Sequence, residues 1–243
     1  MNDLMDTYKT IIKKRAKMSL SEFKESQEEE MNILTDLEFL VHQIDNAQEF
    51  VKNGLTDVVF PSLNSTSSKV RYEATKLLGS AVQSNPTAQI TALELGTVSV
   101  LLRSLSIDAS PQVKSGALYA LSCLVRRFPA AQARLVERGG LTVFSKIFQS
   151  ETGDILKLQV KVVTFVNDLI LEKRDTEREV LASSNKSEEH MTEARERLRQ
   201  YNTIGLERRL KGEGWCKLLI KLLQLQDVHR EDSLEEELRY FPR

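Results

Sequence analysis

Three histidines, two cysteines and two short acceptor motifs carry the most obvious chemistry in this chain. His42, His190 and His229 fall in three separate segments, and neither Cys123 nor Cys216 has a ligand partner close by in sequence. A metal centre needs such groups clustered at fixed spacing, and a nucleophilic site needs a base within reach. Neither pattern is present, so no catalytic residue, cofactor or metal is expected. Two cysteines can pair once at most, which rules out a disulfide framework. Gly212-Glu213-Gly214-Trp215 is glycine-rich, but a phosphate cradle also needs a strand, a helix and a basic residue around it. A turn that places Trp215 is the simpler reading. Asn64-Ser65-Thr66 and Asn185-Lys186-Ser187 fit the N-glycosylation acceptor pattern. Both fall in expected turns, where Asn64 and Asn185 would be exposed; the plain alternative for each is an ordinary polar turn.

The elements that position these residues are helices. Only 10 of 243 residues are Gly and 5 are Pro, and aromatics make up 6%. That scarcity, with recurrent Leu and Ala and short β-branched runs, argues against a β-sandwich and for an all-α fold. Lys and Arg number 34 against 35 Asp and Glu, a net charge of −1, which removes the electrostatic footprint of a nucleic-acid binder. No run of about eighteen apolar residues is present, so no membrane span is expected. The opening Met1-Asn2-Asp3-Leu4 has no apolar core of the secretory kind.

A repeat of about 43 residues organises the chain. Asn85-Pro86-Thr87-Ala88-Gln89 with Gly96 returns as Phe128-Pro129-Ala130-Ala131-Gln132 with Gly139, 43 residues on, and Asp45-Asn46-Ala47-Gln48 with Gly54 precedes both. Between these marks Val70, Ala74, Leu77, Leu78 and Ala81 align with Val113, Ala117, Ala120, Leu121 and Leu124. A fourth copy starts at Leu158, with Val162, Val166 and Leu169, after a turn at Ser150-Glu151-Thr152-Gly153-Asp154. Each unit has one apolar helix face, a turn, and a short helix expected to stop at Gly54, Gly96 or Gly139, where glycine takes the left-handed conformation freely. A further helix then follows, as at residues 98–105 and 141–148. Three helices in about 42 residues is the armadillo arrangement, in which each unit buries its apolar face only by stacking on its neighbours. The reading is a right-handed superhelical solenoid of about four armadillo-like repeats with flanking helices. Pro61 falls where the third helix of the first repeat should run, so that helix is expected to be short or to start late.

The expected divisions are a charged helical segment at 1–30, repeats at 31–171, a charged insertion at 172–200, capping helices at 201–226 and a charged tail at 227–243. Residues 172–200 carry 15 charged side chains in 29 positions, which reads as a solvated insertion, partly helical at 193–199 and mobile around 183–187. The basic run Lys13-Lys14-Arg15-Ala16-Lys17 reads as a solvated helix face.

Helical solenoids bind along the concave face, lined here by the helices at 69–82 and 112–126. Nuclear-import receptors of this fold hold basic peptides with paired Trp and Asn on that helix. The equivalent pairs here are Lys76 with Ser80, Tyr119 with Cys123, and Thr164 with Asp168, so that mechanism is absent. The ridge offers instead Lys69, Tyr72, Glu73, Lys76, Gln112, Tyr119, Arg126, Lys161 and Asp168. Mixed charge with two tyrosines suits a folded protein surface, bound by a monomer.

The stretch Leu37-Glu38-Phe39-Leu40-Val41-His42-Gln43-Ile44-Asp45-Asn46-Ala47-Gln48, with Leu63-Asn64-Ser65-Thr66, Arg127-Phe128-Pro129-Ala130-Ala131-Gln132 and Gly139-Gly140-Leu141, resembles the armadillo nucleotide exchange factors of heat-shock-protein-70 chaperones. The resemblance covers about residues 30–225. The Asn64 acceptor and Glu213-Gly214-Trp215-Cys216 resemble the family's lumenal branch, whose chaperone is BiP in the endoplasmic reticulum. The resemblance implies a non-enzymatic protein that wraps the chaperone's ATPase domain, opens its nucleotide cleft and releases ADP; the alternatives are a cytosolic heat-shock-protein-70 exchange factor and a passive armadillo scaffold that binds a protein without altering nucleotide state. It places the protein in the endoplasmic-reticulum lumen; with no signal peptide at the start of the chain, the cytoplasm is the alternative. Beyond Asp227 the resemblance fades where lumenal members continue through further helices, so the chain reads as one or two helices short of a complete solenoid.

Overall fold

Helix starts are written in the residues just ahead of them. Ser19 and Glu22 form a reciprocal capping box, the Ser19 main-chain N–H donating to Glu22 Oε2 at 2.7 Å, which satisfies two otherwise orphaned donors. Asn85 Oδ1 accepts from the Ala88 N–H at 3.2 Å, and the Ser187 hydroxyl accepts from the His190 N–H at 3.3 Å. Pro86, Pro111 and Pro129 each open a helix, where the missing N–H has no partner to lose.

The computed structural model describes residues 1–149, 153–182 and 187–226, and among them every regular element is a helix. They divide into two units, Met1–Leu124 and Val125 onward. The first holds α1 (Asn2–Lys14), a 3₁₀ turn (Arg15–Lys17), α2 (Leu20–Leu40), α3 (Ile44–Gly54), a π-helical turn (Leu55–Val59), α4 (Phe60–Ser62), α5 (Ser68–Val82), α6 (Pro86–Glu94), α7 (Thr97–Ile107) and α8 (Pro111–Val125). The second holds α9 (Pro129–Glu137), α10 (Gly140–Ile147), α11 (Gly153–Leu181), α12 (Glu188–Ile204), α13 (Leu206–Gly212) and α14 (Trp215–Gln226).

The repeat pattern matches the core. Val70, Ala74, Leu77, Leu78 and Ala81 on α5 are buried, as are their counterparts Val113, Ala117, Ala120, Leu121 and Leu124 on α8, and Val162, Val166 and Leu169 on α11. Burying one such Leu or Val contributes about 1.5–3 kcal/mol. Glycines set the spacing of α5 and α8. A Cβ at Gly79 would lie 2.3 Å from the Tyr119 ring, and one at Gly116 would lie 2.0 Å from Thr75 Oγ1. In the second unit Trp215 is buried with its ring edge-on to Phe148 at 5.8 Å, directly after Gly214 at φ +77°.

Gly96 and Gly139 turn the chain in the left-handed region, at φ +75° and +77°. Gly54 does not. Its backbone is right-handed helical, φ −63°, and the chain runs on from α3 into the π turn, so the expected stop is corrected. A Cβ there would meet the buried Phe50 ring at 2.3 Å; Gly54 is a packing glycine. The π turn ends two residues before Pro61, which has no N–H to give and crowds the carbonyl four residues back. The helix after Gly54 ends at Ser62, and the Leu63 N–H closes it on Val59 O at 2.9 Å.

Two expected boundaries fall inside helices. α2 runs unbroken across residues 30 and 31, and residues 172–200, expected as an insertion, form the end of α11 and most of α12 wherever they are described. α11 and α12 pack on each other, and their charged side chains pair within and between the helices: Lys173 Nζ lies 2.8 Å from Glu177 one turn on in α11, and His190 Nε2 of α12 lies 2.6 Å from Glu179 of α11. Of the stretch expected to be mobile at 183–187 and the turn expected at 150–154, residues 183–186 and 150–152 lie outside the described residues, as does the tail at 227–243, while Ser187 caps α12 and Gly153 opens α11.

Candidate functional site

Each unit carries part of the ridge. In the first, α5 presents the adjacent Tyr72 and Glu73, with Lys76 one turn on. Lys76 Nζ donates to Glu73 Oε2 at 2.9 Å and lies 5.8 Å from the centre of the Tyr72 ring. The Glu73 bond raises the Lys76 pKa, against the opposing effect of burial. Tyr119, on α8, lies over Gly79 with 38% of its surface exposed, and its hydroxyl is 3.5 Å from Gln83 Oε1. Burial pushes its phenol pKa up. Lys69 and Gln112, at the starts of the same two helices, are exposed.

The structure extends this cluster onto α2. Glu38 Oε1 accepts from Ser80 Oγ at 2.7 Å and meets His42 Nε2 at 3.1 Å. Sequence reasoning missed Glu38 and His42 because it assigned the ridge to one helix per repeat. Their four-residue spacing was the available signal: Glu38 is in the last turn of α2 and His42 lies in the turn just past its end, close enough for the two side chains to meet.

In the second unit Arg126 is the centre. Its Nη1 lies 3.2 Å from Asp168 Oδ2 and its Nε 3.4 Å from Glu172 Oε1. Glu172 Oε2 accepts from the Arg127 main-chain N–H at 2.8 Å and from Gln132 Nε2 at 2.8 Å. Burial raises the pKa of both Asp168 and Glu172, opposed by Arg126 in the first and chiefly by the Arg127 N–H in the second. Lys161, two turns before Asp168 on α11, is exposed. Glu172 was missed because it was counted in the charged insertion.

Asn64 is exposed in the turn after α4, its Nδ2 donating to Phe60 O at 3.0 Å, while Thr66 Oγ1 accepts from Gln27 Nε2 at 3.0 Å. Asn185 and His229 lie outside the described residues. Among the described residues no three of His, Cys, Asp and Glu gather as they would around a metal ion. Among them, too, no single helix is long and apolar enough to cross a membrane.

Residues 46–241 match the family model described as the SIL1/FES1/HPBP1 C-terminal domain. The chain belongs to this family. The match takes in every ridge residue from Lys69 to Asp168, and it reaches beyond Asp227, where the resemblance was expected to fade. α1, α2 and with them Glu38 and His42 lie ahead of it. The SIL1/FES1/HPBP1 relatives include "Nucleotide exchange factor SIL1" of Xenopus laevis, 36% identical over 89% of this chain and 45% of its own length. The protein of the same name in Rattus norvegicus is 37% identical over 88% of this chain and 44% of its own. "Hsp70-binding protein 1" of Homo sapiens is 31% identical over 60% of this chain and 40% of its own. The chain thus spans about half the length or less of the curated relatives it matches. Among solved structures, an engineered protein aligns over 99% of this chain and 95% of its own at a TM-score of 0.55 and 19% identity. A designed armadillo repeat protein aligns over 96% of this chain and 97% of its own at 0.51 and 16%. These likenesses carry the fold, an all-α armadillo-type solenoid.

Proposed function

We propose that this protein binds the ATPase domain of a heat-shock-protein-70 chaperone through its ridge residues and promotes release of ADP. The observation that carries this reading is the family match over residues 46–241, with relatives named as nucleotide exchange factors and as an Hsp70-binding protein. The mechanism is non-enzymatic. A binding partner shifts an equilibrium only by its differential affinity for the two states, so the protein must hold the open ATPase domain more tightly than the ADP-closed one. Weakening ADP a thousandfold takes about 4 kcal/mol of coupling, and an interface of standard size, about 1,600 Å², can supply it. Tyr72 and Tyr119 are the aromatic anchors expected in such an interface, and the half-buried pairs Lys76–Glu73 and Arg126–Asp168 fix its charge pattern.

The lumenal chaperone BiP is the proposed partner, in the endoplasmic reticulum, with the protein acting as a monomer. Identity is higher and longer to the relatives named SIL1 than to the Hsp70-binding proteins. The exposed Asn64 acceptor fits a secretory environment.

Stopped-flow release of a fluorescent ADP analogue from the BiP ATPase domain tests the activity. Acceleration that saturates with added protein is expected, and no acceleration at saturation rejects the reading. Acceleration on a cytosolic heat-shock-protein-70 domain alone would keep the activity and reject BiP. Changing Lys76 and Tyr119 together to Glu should weaken binding at least tenfold, about 1.4 kcal/mol, with helix content unchanged. Unchanged affinity would remove the first unit's ridge from the mechanism.

A further inference from the structure

Ser84 and Arg127 hold the same place in successive repeats, just after the long helices α5 and α8, and both take the left-handed conformation, φ 53° and 55°. One repeat later the chain does something else. Glu172 lies 45 residues beyond Arg127, at the place where another left-handed turn would fall, yet α11 continues through it to Leu181. Glu172 instead faces back onto the preceding repeat. Its side chain is nine-tenths buried, at 10% exposure. One oxygen takes the N–H of the left-handed Arg127 and the Gln132 amide, both at 2.8 Å, and the other faces Arg126 Nε at 3.4 Å. Asp168, one turn earlier on α11, takes Nη1 of the same guanidinium at 3.2 Å. Arg126 keeps 51% of its side chain exposed. Its main-chain neighbour and its guanidinium are therefore held by one buried carboxylate.

We infer that Glu172 is a positioning residue for Arg126. It fixes the left-handed turn and the guanidinium together, so that a docking protein meets a cation already ordered on the ridge. The inference rests on the proposed role of Arg126 as a partner contact. A long flexible side chain that must be immobilised on docking weakens association, and ordering it beforehand removes that cost. Loss of the clamp should lower affinity about two- to tenfold.

The test uses the full chain and the variants Glu172→Gln, Arg126→Ala and the double substitution, each measured for affinity to the chaperone ATPase domain. Glu172→Gln should weaken binding in the wild-type background and change it less than about twofold when Arg126 is already Ala. An equal loss in both backgrounds, or none in the first, overturns the inference. A second readout needs no partner. The Arg126 Nε–Hε order parameter, measured by NMR in the free protein, should fall in Glu172→Gln while the α11 and α12 main-chain signals hold their positions. An unchanged Nε–Hε order parameter overturns the inference by itself. Wild-type protein that shows the ordered Arg126 but no acceleration of ADP release would instead reject the proposed function and leave the clamp standing.

Discussion

Gln89 Nε2 donates to the main-chain carbonyl of Cys123 at 2.9 Å, across 34 residues of sequence. Cys123 lies in the last turn of α8, where carbonyls have no partner within the helix, so the Gln of one repeat caps the long helix of the next. The Ala-Gln pair that marks each repeat now has a physical meaning. Ala47, Ala88 and Ala131 are buried in the stack, and the glutamines beside the first two reach into the following repeat, Gln48 to Asn85 Oδ1 at 3.4 Å and Gln89 to Cys123. Changing Gln89 to Leu removes this bond between repeats and should cost about 0.5–1.5 kcal/mol. In a chain of this size that lowers the unfolding midpoint by about 2–4 °C per kcal/mol. A calorimetric midpoint equal to wild type would show that this bond does not tie the repeats.

Two glycine substitutions should separate by mechanism. Gly54→Ala introduces a methyl group against the fully buried Phe50 ring and should cost about 1–3 kcal/mol through overpacking, although the backbone there suits any residue. Gly96→Asn meets nothing within 4 Å, and Asn tolerates the left-handed region, so its cost should stay below about 1 kcal/mol. Urea unfolding of the two variants checks the order, and the reverse order would contradict the packing role of Gly54.

Glu30 is completely buried, paired with Arg15 and accepting from Ser62 Oγ at 3.2 Å, while Tyr8 OH meets the same Ser62 at 2.8 Å. This network ties α1 and α2 to α4. Glu30→Ala should destabilise the protein by about 3–5 kcal/mol, since it strands Arg15 without its carboxylate. Replacing Arg15 and Glu30 together by Met should recover most of that loss, because apolar groups of similar volume need no partner. Guanidinium unfolding that gives the double variant the same deficit as Glu30→Ala would exclude the stranded charge as the cause.

Asp108 and Glu172 should respond to acid in opposite senses. Burial raises the Asp108 pKa, but the Arg71 fork, at 2.6 and 2.9 Å, and the Ser110 N–H outweigh it and leave it below 3.8. Its contribution is present above 3.8 and is lost as pH falls through the folded value. Burial leaves Glu172 above 4.5, so the fold takes up a proton there before the unfolded chain does, and stability is gained as pH falls through its folded value towards 4.5. Urea midpoints from about pH 7 down to about pH 3 should show a shallower acid loss for Asp108→Asn and a missing gain for Glu172→Gln. Curves parallel to wild type would remove either group from the pH response.

The sequence by itself determined the repeat length, the buried faces of α5, α8 and α11, and the left-handed turns at Gly96 and Gly139. These are local matters: helical periodicity marks the apolar face, and a glycine past the last apolar position marks the stop. Only the tertiary structure decided that Gly54 continues a helix, because that depends on the Phe50 ring packed against it. It alone showed that α11 runs through Glu172, that Glu38 and His42 join the ridge, and that Gln89 and Glu172 bond across 34 and 45 residues. Sequence spacing cannot distinguish a charged residue facing water from one folded back onto its neighbour. The distinction is made by the carbonyls and N–H groups left unpaired at helix ends, and their positions are fixed only when the repeats stack.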